Sequence, residues 1–569
     1  MNREAVKVPL MCVAAGAWTF LAWRLAGMPD PGGMGRLLPG AWVLCGLLSA
    51  GRRKVRGLGA AVTAFTGFTL FWRCCSWGHP GAVAASVAGL FHQCFQTAGE
   101  RRGLIRGILP AALLMAAVVP FTSDEVRFSE IAAKIAGADS FHFSQRPGDP
   151  APGDSHHTPV YPLLLAPGAA FGPPGIRAMG LLPVMVGALL LKELLKRTGA
   201  GNPGGIAAAA VLLMPGFTLL GPAMTGWAAA AALCAFALLP GGWRGMVGTA
   251  LLGFFLVAVK MRYAGAAAGM ALVWLLENTR GIRTRLLILP ALAAILAGLF
   301  VLDGSLLGGV LFRARNGNPE TLMLVRMNLF HRPGVLLREA LHMMLDCEAG
   351  ILPKAPWVLA VPAGLSLLRR ADRTVFRRLA LPGILYAAVH LLWTGEAWHG
   401  LPAPAARVFI PMLPLFAAGV SRVWSRRTTG LLLALSLGVA ALTAAVPMAR
   451  FNMAQGSDNL AAALDVRGLC VSMVRPDGAV LAAWALLAVA AVLLCRLNHV
   501  IGLRTVLLAG AVLLAVPRYP GRLQAEEAEP DHVHGAGFYP AHPDPSLRQF
   551  WFFSRERLLM LDHPFQCVR

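Results

Sequence analysis

The stretch GILPAALLMAAVVPF, residues 107–121, decides the fold class, and the acidic pair Asp124-Glu125 follows it closely. A run of about 15 to 20 apolar residues is long enough to cross the hydrocarbon core of a bilayer as a helix. In lipid, a helix satisfies all of its backbone hydrogen bonds internally, whereas an isolated strand does not. The stretch therefore predicts a transmembrane helix with two adjacent acids just beyond its end.

Apolar runs of this kind recur along most of the chain, from Val8 to Val516. Hydrophobic residues make up 56% of the 569 residues, and the mean hydropathy is +0.61. Repeated spans share lipid as their solvent and pack laterally. The composition therefore predicts an all-α, polytopic transmembrane helical bundle with external loops, rather than a series of soluble domains.

The formal net charge of +23 has its origin in short basic clusters that separate the apolar runs. Such a distribution is typical of the positive-inside rule, and it argues against a nucleic-acid partner. Placing every cluster in the cytoplasm gives a consistent zigzag of about 17 helices. The clusters are Arg52-Arg53-Lys54, Arg101-Arg102, Lys192 to Arg197, Arg280 to Arg285, Arg369 to Arg378 and Arg422 to Arg427.

The zigzag divides the chain into three parts. Residues 1–100 form additional N-terminal transmembrane helices, residues 101–517 form the main membrane domain, and residues 518–569 form a polar external tail. Since Arg101-Arg102 is cytoplasmic in this scheme, Asp124-Glu125 emerges on the outer face and residues 122–174 form a large external loop.

A short amphipathic helix is expected early in this loop. Glu125, Ile131, Ala132, Ile135 and Ala136 recur at helical spacing on one side. A helix of this kind, followed by a stretch rich in Pro, Gly and Asp, suits an interfacial segment that faces a substrate.

Several stretches together resemble the GT-C membrane glycosyltransferases, the protein mannosyltransferase and lipid A arabinosyltransferase group. TSDEVRFSEIA at 122–132 is similar to the opening of that group's first external loop, and HTPVYPLLL at 157–165 resembles its Pro-Pro-Leu-Tyr segment. Later matches are KMRY at 260–263, WTGEAWHG at 393–400 and RVFIPMLP at 407–414. The resemblance covers about residues 104 to 425. The chain departs from the group's pattern at Val160, Val408 and Thr225-Gly226.

The resemblance implies transfer of a sugar from a polyprenyl-phosphate carrier to an acceptor hydroxyl at the outer membrane face. The attacking oxygen must lose a proton, which a carboxylate within hydrogen-bond reach can accept. Asp124 is the expected general base, and Glu125 is expected to orient the acceptor or share a metal. The alternative is that both acids only cap the helix that begins near Val126, where negative charge favours the helix dipole.

The departing lipid phosphate gathers negative charge, which a planar guanidinium stabilises well. Arg407 and Arg262, with Lys260 in reserve, are the expected phosphate contacts. The alternative is that these basic side chains extend to lipid headgroups from helix ends. Arg127, His157 and Tyr161 are the further residues expected to contact substrate in the loop.

Asp154 and His156, beside His157, combine a carboxylate with imidazoles, which are ligands of divalent metals. A hydrated loop without a metal explains the same spacing. The sequence leaves the cofactor open, with a divalent metal as the candidate.

The sequence thus predicts a bacterial inner-membrane glycosyltransferase, with membrane lipids around it and a lipid, glycan or protein as acceptor. A transporter or flippase of lipid-linked sugars is the alternative, and a non-enzymatic assembly scaffold is the third reading. Transport favours ionisable residues along a path near mid-membrane. In this chain, the conspicuous acids lie just beyond a helix instead.

Overall fold

The architecture follows from a computed structural model that describes part of the chain. The described residues are 104–105, 108–109, 128–129, 131–132, 135–136, 160–215, 217, 224–278, 333–346, 350–394, 406–425 and 427–445. Within these ranges the chain is helical and contains no strand, which confirms the all-α prediction for them. The predicted N-terminal helices, residues 1–100, and the predicted tail, residues 518–569, lie outside the described residues.

The helices in these ranges are numbered in chain order, and three short 3₁₀ segments connect some of them. The 3₁₀ segments are Met261–Tyr263, Pro356–Ala360 and Arg407–Met412. The α-helices are α1 (Val160–Ala169), α2 (Gly172–Arg197), α3 (Pro203–Leu212), α4 (Thr225–Leu238), α5 (Gly242–Val259), α6 (Ala264–Asn278), α7 (Pro333–Leu345), α8 (Ile351–Lys354), α9 (Val361–Ala371), α10 (Arg373–Thr394), α11 (Leu413–Ser421) and α12 (Arg427–Ala445).

Three of these helices are long and apolar enough to cross a membrane, judged by length and composition. The qualifying segments are Gly175–Arg197 of α2, Gly242–Val259 of α5 and Arg373–Leu392 of α10. Each presents large apolar side chains on its outer surface, as a lipid-facing helix does. The prediction of transmembrane helices is therefore supported at this coarser level.

Helix α2 shows how local sequence sets the helix ends. Two prolines occupy its first turn, where a missing backbone N–H costs nothing. Lys196 and Arg197 lie in its last turn, and Gly199 follows with φ of +74°. In that left-handed conformation the backbone N–H of Ala200 reaches the carbonyl of Leu195 at 3.0 Å, which closes the helix.

Two apolar clusters form the interior. One cluster is built mainly by α2, α3, α9, α11 and α12, and it includes Trp357 and Phe416. The other lies between α1, α4, α5, α6 and α10, and it includes Tyr263 and Tyr386. The second cluster also contains Phe128 and Ala132, so part of the segment predicted as an amphipathic helix packs into the interior.

Helices α6 and α10 run antiparallel in close contact through two glycines. A side chain at Gly265 would overlap the carbonyl of Leu385, and a Cβ at Gly269 would lie 2.5 Å from the Cα of Pro382. Small residues four positions apart on a helix let two backbones approach closely. This contact holds the 3₁₀ segment Met261–Tyr263 against the middle of α10.

One end of the helix bundle, called here the basic end, is held together by Arg378. Its Nε and Nη2 both donate to Glu277 Oε2, at 2.8 and 2.7 Å, and its Nη1 donates to the Leu239 carbonyl at 2.6 Å. Nearby, Arg197 donates to the Leu238 carbonyl at 3.1 Å. The basic end therefore joins α2, α4, α6 and α10.

The predicted external loop, residues 122–174, differs from expectation in its last part. Residues 160–169 form helix α1, and α2 already begins at Gly172. Tyr161 and Leu165 are fully buried because α1 packs against α2 and contributes to the second apolar cluster. Further upstream, residues 128–129, 131–132 and 135 are helical, with Phe128 and Ala132 buried and Ile135 exposed.

Candidate functional site

Some residues predicted to act on substrate lie outside the described residues. They are Asp124, Glu125, Arg127, Asp154, His156 and His157. Their predicted roles as general base, acceptor contact, substrate contacts and weak metal ligands stay predictions. The phosphate contacts Arg262, Arg407 and Lys260, together with Tyr161, are described.

Arg262 lies in the 3₁₀ segment that joins α5 to α6. Lys260 ends α5 in an extended conformation, and the backbone N–H of Tyr263 donates to its carbonyl at 2.9 Å. This break in the helix places Lys260 and Arg262 at the end of the bundle opposite the basic end, both of them half-buried.

Arg407 begins a second 3₁₀ segment at the same end. The preceding residue, Ala406, has φ of +55° and ψ of 13°, a left-handed conformation that is uncommon for a residue with a Cβ. Ala406 and Val408 are buried, whereas Arg407 between them is half-buried. The turn therefore anchors Ala406 and Val408 in the interior and leaves the Arg407 side chain partly accessible.

Tyr386 connects the two arginine segments. Its hydroxyl donates to the carbonyl of Val408 at 2.8 Å, directly beside Arg407. The positive charges of both Arg262 and Arg407 lie close enough to the Tyr386 hydroxyl to interact with it electrostatically. The two arginines expected as phosphate contacts thus both lie in segments that contact or adjoin one buried tyrosine.

The network continues to α4 through Tyr263. The rings of Tyr263 and Tyr386 pack with centroids 5.7 Å apart, and the Tyr263 hydroxyl lies 2.9 Å from Thr225 Oγ1. Together, Arg262, Arg407, Tyr263, Tyr386 and Thr225 are called the arginine-tyrosine cluster below. Four separate chain segments therefore meet in this cluster, where two buried hydrogen bonds and one ring contact connect them.

Gly226 allows α4 to approach this cluster. A Cβ at Gly226 would lie 3.0 Å from the Cβ of Ile410, in the 3₁₀ segment that carries Arg407. Thr225-Gly226 is one of the positions at which the sequence departs from the pattern of the GT-C group. In the structure, both residues bring α4 close to the arginine-tyrosine cluster. The Thr225 hydroxyl forms a hydrogen bond with the Tyr263 hydroxyl, and the absence of a side chain at Gly226 leaves room for Ile410.

Tyr161 is buried beneath the same region rather than placed on a surface. Its ring meets that of Phe128 edge to face, with centroids 5.2 Å apart, and both belong to the apolar cluster that contains Tyr263 and Tyr386. Phe128 comes four residues after Asp124 in the sequence. The start of the predicted substrate loop is thus anchored in the same apolar cluster.

Sequence reasoning missed Tyr386 and His390. Both are buried on α10, and their rings stack with centroids 6.1 Å apart. The chain has only 5 tyrosines. The sequence therefore offered a usable signal for this site, since Tyr386 and His390 lie one helical turn apart within an apolar helix. Polar side chains inside such a helix mark functional sites by default.

Two guanidinium groups at one end of the bundle favour an anion with several oxygen atoms. Each guanidinium presents planar N–H donors that match phosphate oxygens, and the low dielectric of a partly buried site strengthens that attraction. Among the described residues, no group of three His, Cys, Asp or Glu side chains is arranged to hold a metal ion.

No known protein family, curated protein or solved structure matches this chain.

Proposed function

We propose that this protein is a polytopic membrane glycosyltransferase of the GT-C type, which transfers a sugar from a polyprenyl-phosphate carrier to an acceptor hydroxyl on the outer face of a bacterial inner membrane. The observation that carries the proposal is the position of Arg262 and Arg407 in two 3₁₀ segments at the same end of the bundle, which the ring contact of Tyr263 with Tyr386 and the hydrogen bond from Tyr386 to Val408 hold together. An anionic lipid headgroup requires positive charge held at a helix end, beside lipid.

In the proposed reaction, the acceptor oxygen attacks the anomeric carbon and the bond from that carbon to the lipid phosphate breaks. The phosphate leaves with the bonding electrons, and its added charge is stabilised by Arg262 and Arg407. Lys260 adds positive charge on the same side. The buried tyrosines hold the two arginine segments in register, so little rearrangement is needed during the reaction.

Asp124 accepts the proton of the acceptor hydroxyl in this proposal. Its neighbour Glu125 orients the acceptor. Support comes from the short sequence distance between Asp124 and Phe128, whose ring packs in the apolar cluster shared with Tyr263 and Tyr386.

The test is transfer of radiolabelled sugar from synthetic polyprenyl-phosphate donors by membranes that contain the wild type, Asp124→Asn or Asp372→Asn. Asp372 lies between α9 and α10, next to the basic residues there, and serves as the matched control. The proposal expects the wild type and Asp372→Asn to transfer sugar and Asp124→Asn to lose transfer at unchanged protein level. Near-normal turnover in Asp124→Asn would remove Asp124 from the mechanism.

The same membranes, prepared as sealed vesicles, distinguish sugar transfer from transport of the lipid-linked sugar. Movement of the labelled lipid across the bilayer without any glycosylated product, at equal rates in the wild type and Asp124→Asn, would overturn the proposal in favour of a flippase. Neither movement nor product with any donor would favour the scaffold reading.

A further inference from the structure

Helix α7, Pro333–Leu345, exposes its apolar face and buries its acidic side chains. An amphipathic helix on the surface of a water-soluble protein does the opposite. Leu337, Leu341 and Leu345 recur four residues apart, so they lie along one face. They are 69%, 47% and 37% exposed, respectively. An apolar row of this kind normally faces a protein core.

The opposite face of α7 carries the polar side chains, and it is buried. Glu339 is 3% exposed, and Asp346, just after the helix, is 4% exposed. His342 Nδ1 lies 3.0 Å from Glu339 Oε2, and Met343 is buried between the acidic positions. The helix therefore turns its acidic side chain Glu339 inward and the leucine row outward.

We infer that α7 lies in the plane of the membrane interface, with the leucine row in contact with lipid acyl chains. A polar face turned inward and an apolar face turned outward is stable only where the surroundings are apolar. The helix has 13 residues, about 20 Å, which is too short to cross a hydrocarbon core of about 30 Å.

The neighbouring surface identifies lipid as the occupant. Helix α7 packs against α10, a candidate membrane span, and Ile384 of α10 is 58% exposed. Leu251 on the candidate span α5 is similarly exposed. The leucine row of α7 therefore resembles the exposed apolar surfaces of the candidate membrane spans α5 and α10.

The zigzag of cytoplasmic basic clusters also predicts an external loop at residues 303–352, and this inference revises that expectation. The part of that segment that forms α7 rests on the bilayer rather than in water. The inference does not depend on glycosyl transfer, since a transporter or a scaffold would seat the helix in the same way.

Nitroxide spin labels test this position in lipid nanodiscs. Single cysteines replace Leu337 or Leu341 in a full-length background from which the native cysteines are removed and which keeps the wild-type unfolding temperature. Collision with oxygen, which concentrates in lipid, is compared with collision with a water-soluble nickel chelate. Leu251→Cys serves as the lipid reference and Lys196→Cys, whose side chain is 69% exposed, as the aqueous reference.

We expect labels at 337 and 341 to give a ratio of oxygen to nickel collisions several-fold above that at Lys196→Cys and below that at Leu251→Cys, which lies midway along the candidate span α5. Nickel collisions equal to those at Lys196→Cys would mean that the row faces water, and the inference would fail. Shielding from both reagents would also overturn it. In that case, dipolar broadening between labels would indicate a second copy of the chain, and its absence would indicate coverage by another segment of the same chain.

Discussion

Arg407 occupies a position where the backbone itself is specialised. The left-handed Ala406 precedes it, and the carbonyl of Val408 after it accepts the Tyr386 hydroxyl. A backbone held on both sides of a side chain reduces the conformational entropy that is lost when that side chain binds an anion. In the proposed function, this is what suits Arg407 to holding a substrate phosphate.

Replacing Arg407 should weaken the reaction more than it weakens the fold. We expect Arg407→Ala to lower kcat/KM for the polyprenyl-phosphate donor about 100-fold, as for loss of one preorganised charge-stabilising donor. Arg407→Lys should recover part of this loss, because the charge is kept and the planar fork is not. Steady-state kinetics with varied donor measures both.

Arg369→Ala is the control for this experiment, since Arg369 is an exposed arginine near the start of α10, away from the cluster. It should leave kcat/KM unchanged. Unchanged donor kinetics in Arg407→Ala would show that Arg407 does not contact the carrier.

The hydrogen bond between Thr225 and Tyr263 should behave as a coupled pair. Thr225→Val or Tyr263→Phe leaves one buried hydroxyl without its partner, which costs about 1–3 kcal/mol of unfolding free energy. The double variant leaves neither hydroxyl, so its loss should be smaller than the sum of the two single losses. Denaturant unfolding in detergent measures the coupling, which we expect to be about 1 kcal/mol. Strict additivity would mean that the 2.9 Å contact contributes nothing.

At the residue scale, the sequence predicted the charged members of the cluster and missed the uncharged ones. Arg262 and Arg407 were predicted because they belong to the stretches KMRY at 260–263 and RVFIPMLP at 407–414, on which the resemblance to the GT-C group rests. Tyr386 sits in an apolar helix, and its contact with Val408 joins residues 22 positions apart through a turn that hydropathy does not describe. Pairing of that kind follows from tertiary packing.

Helices α6 and α10 depend on the absence of side chains at their contact. Gly265 and Gly269 meet the backbone of α10, whereas Gly253 on α5 faces open space apart from the Ala267 methyl at 3.6 Å. Replacement of glycine by alanine is therefore expected to destabilise the protein at Gly269 of α6 and to be tolerated at Gly253 of α5.

Gly269→Ala should lower the unfolding temperature and the transferase rate, because the new methyl forces α6 away from α10 and moves Tyr263 relative to Tyr386. Overpacking of this kind costs about 1–3 kcal/mol. Gly253→Ala should be neutral or slightly stabilising, since alanine is favoured over glycine within a helix by about 1 kcal/mol. Thermal unfolding of the two purified variants makes the comparison, and equal behaviour would contradict the packing argument.

At the element scale, length decided what the sequence could predict. The long apolar helices α2, α5 and α10 match the expected spans because about 20 apolar residues give an unambiguous signal. Helix α1 lies in a stretch taken as loop, since it has only 10 residues and contains Pro167. Its helical state depends on packing of Tyr161 and Leu165 against the second apolar cluster, which local sequence does not reveal.

The helix bundle formed by the described residues has two chemically distinct ends. Arg197 and Arg378 bind backbone and carboxylate oxygens at the basic end, and the arginine-tyrosine cluster lies at the other. The positive-inside rule assigns the basic end to the cytoplasm. The cluster would then face the outside of the membrane.

Cysteine labelling in cells checks that orientation. Lys196→Cys, at the basic end, should react with a membrane-impermeant maleimide only after permeabilisation. Phe171→Cys, 77% exposed and located just before α2, should react in intact cells. The reverse pattern would place the cluster on the cytoplasmic side and remove the basis for an outer-face transferase.

Helix α4 links the two ends directly, and its length has a consequence for access. It runs from Thr225, bonded to Tyr263, to Leu238, whose carbonyl meets Arg197. Its 14 residues rise about 21 Å, against about 30 Å for the hydrocarbon thickness of a bilayer. With the basic end placed at the inner surface, the arginine-tyrosine cluster would lie within the outer part of the hydrocarbon thickness rather than beyond it. A lipid-borne headgroup would then approach the cluster laterally from the bilayer, whereas a water-borne acceptor would approach from the outer aqueous side.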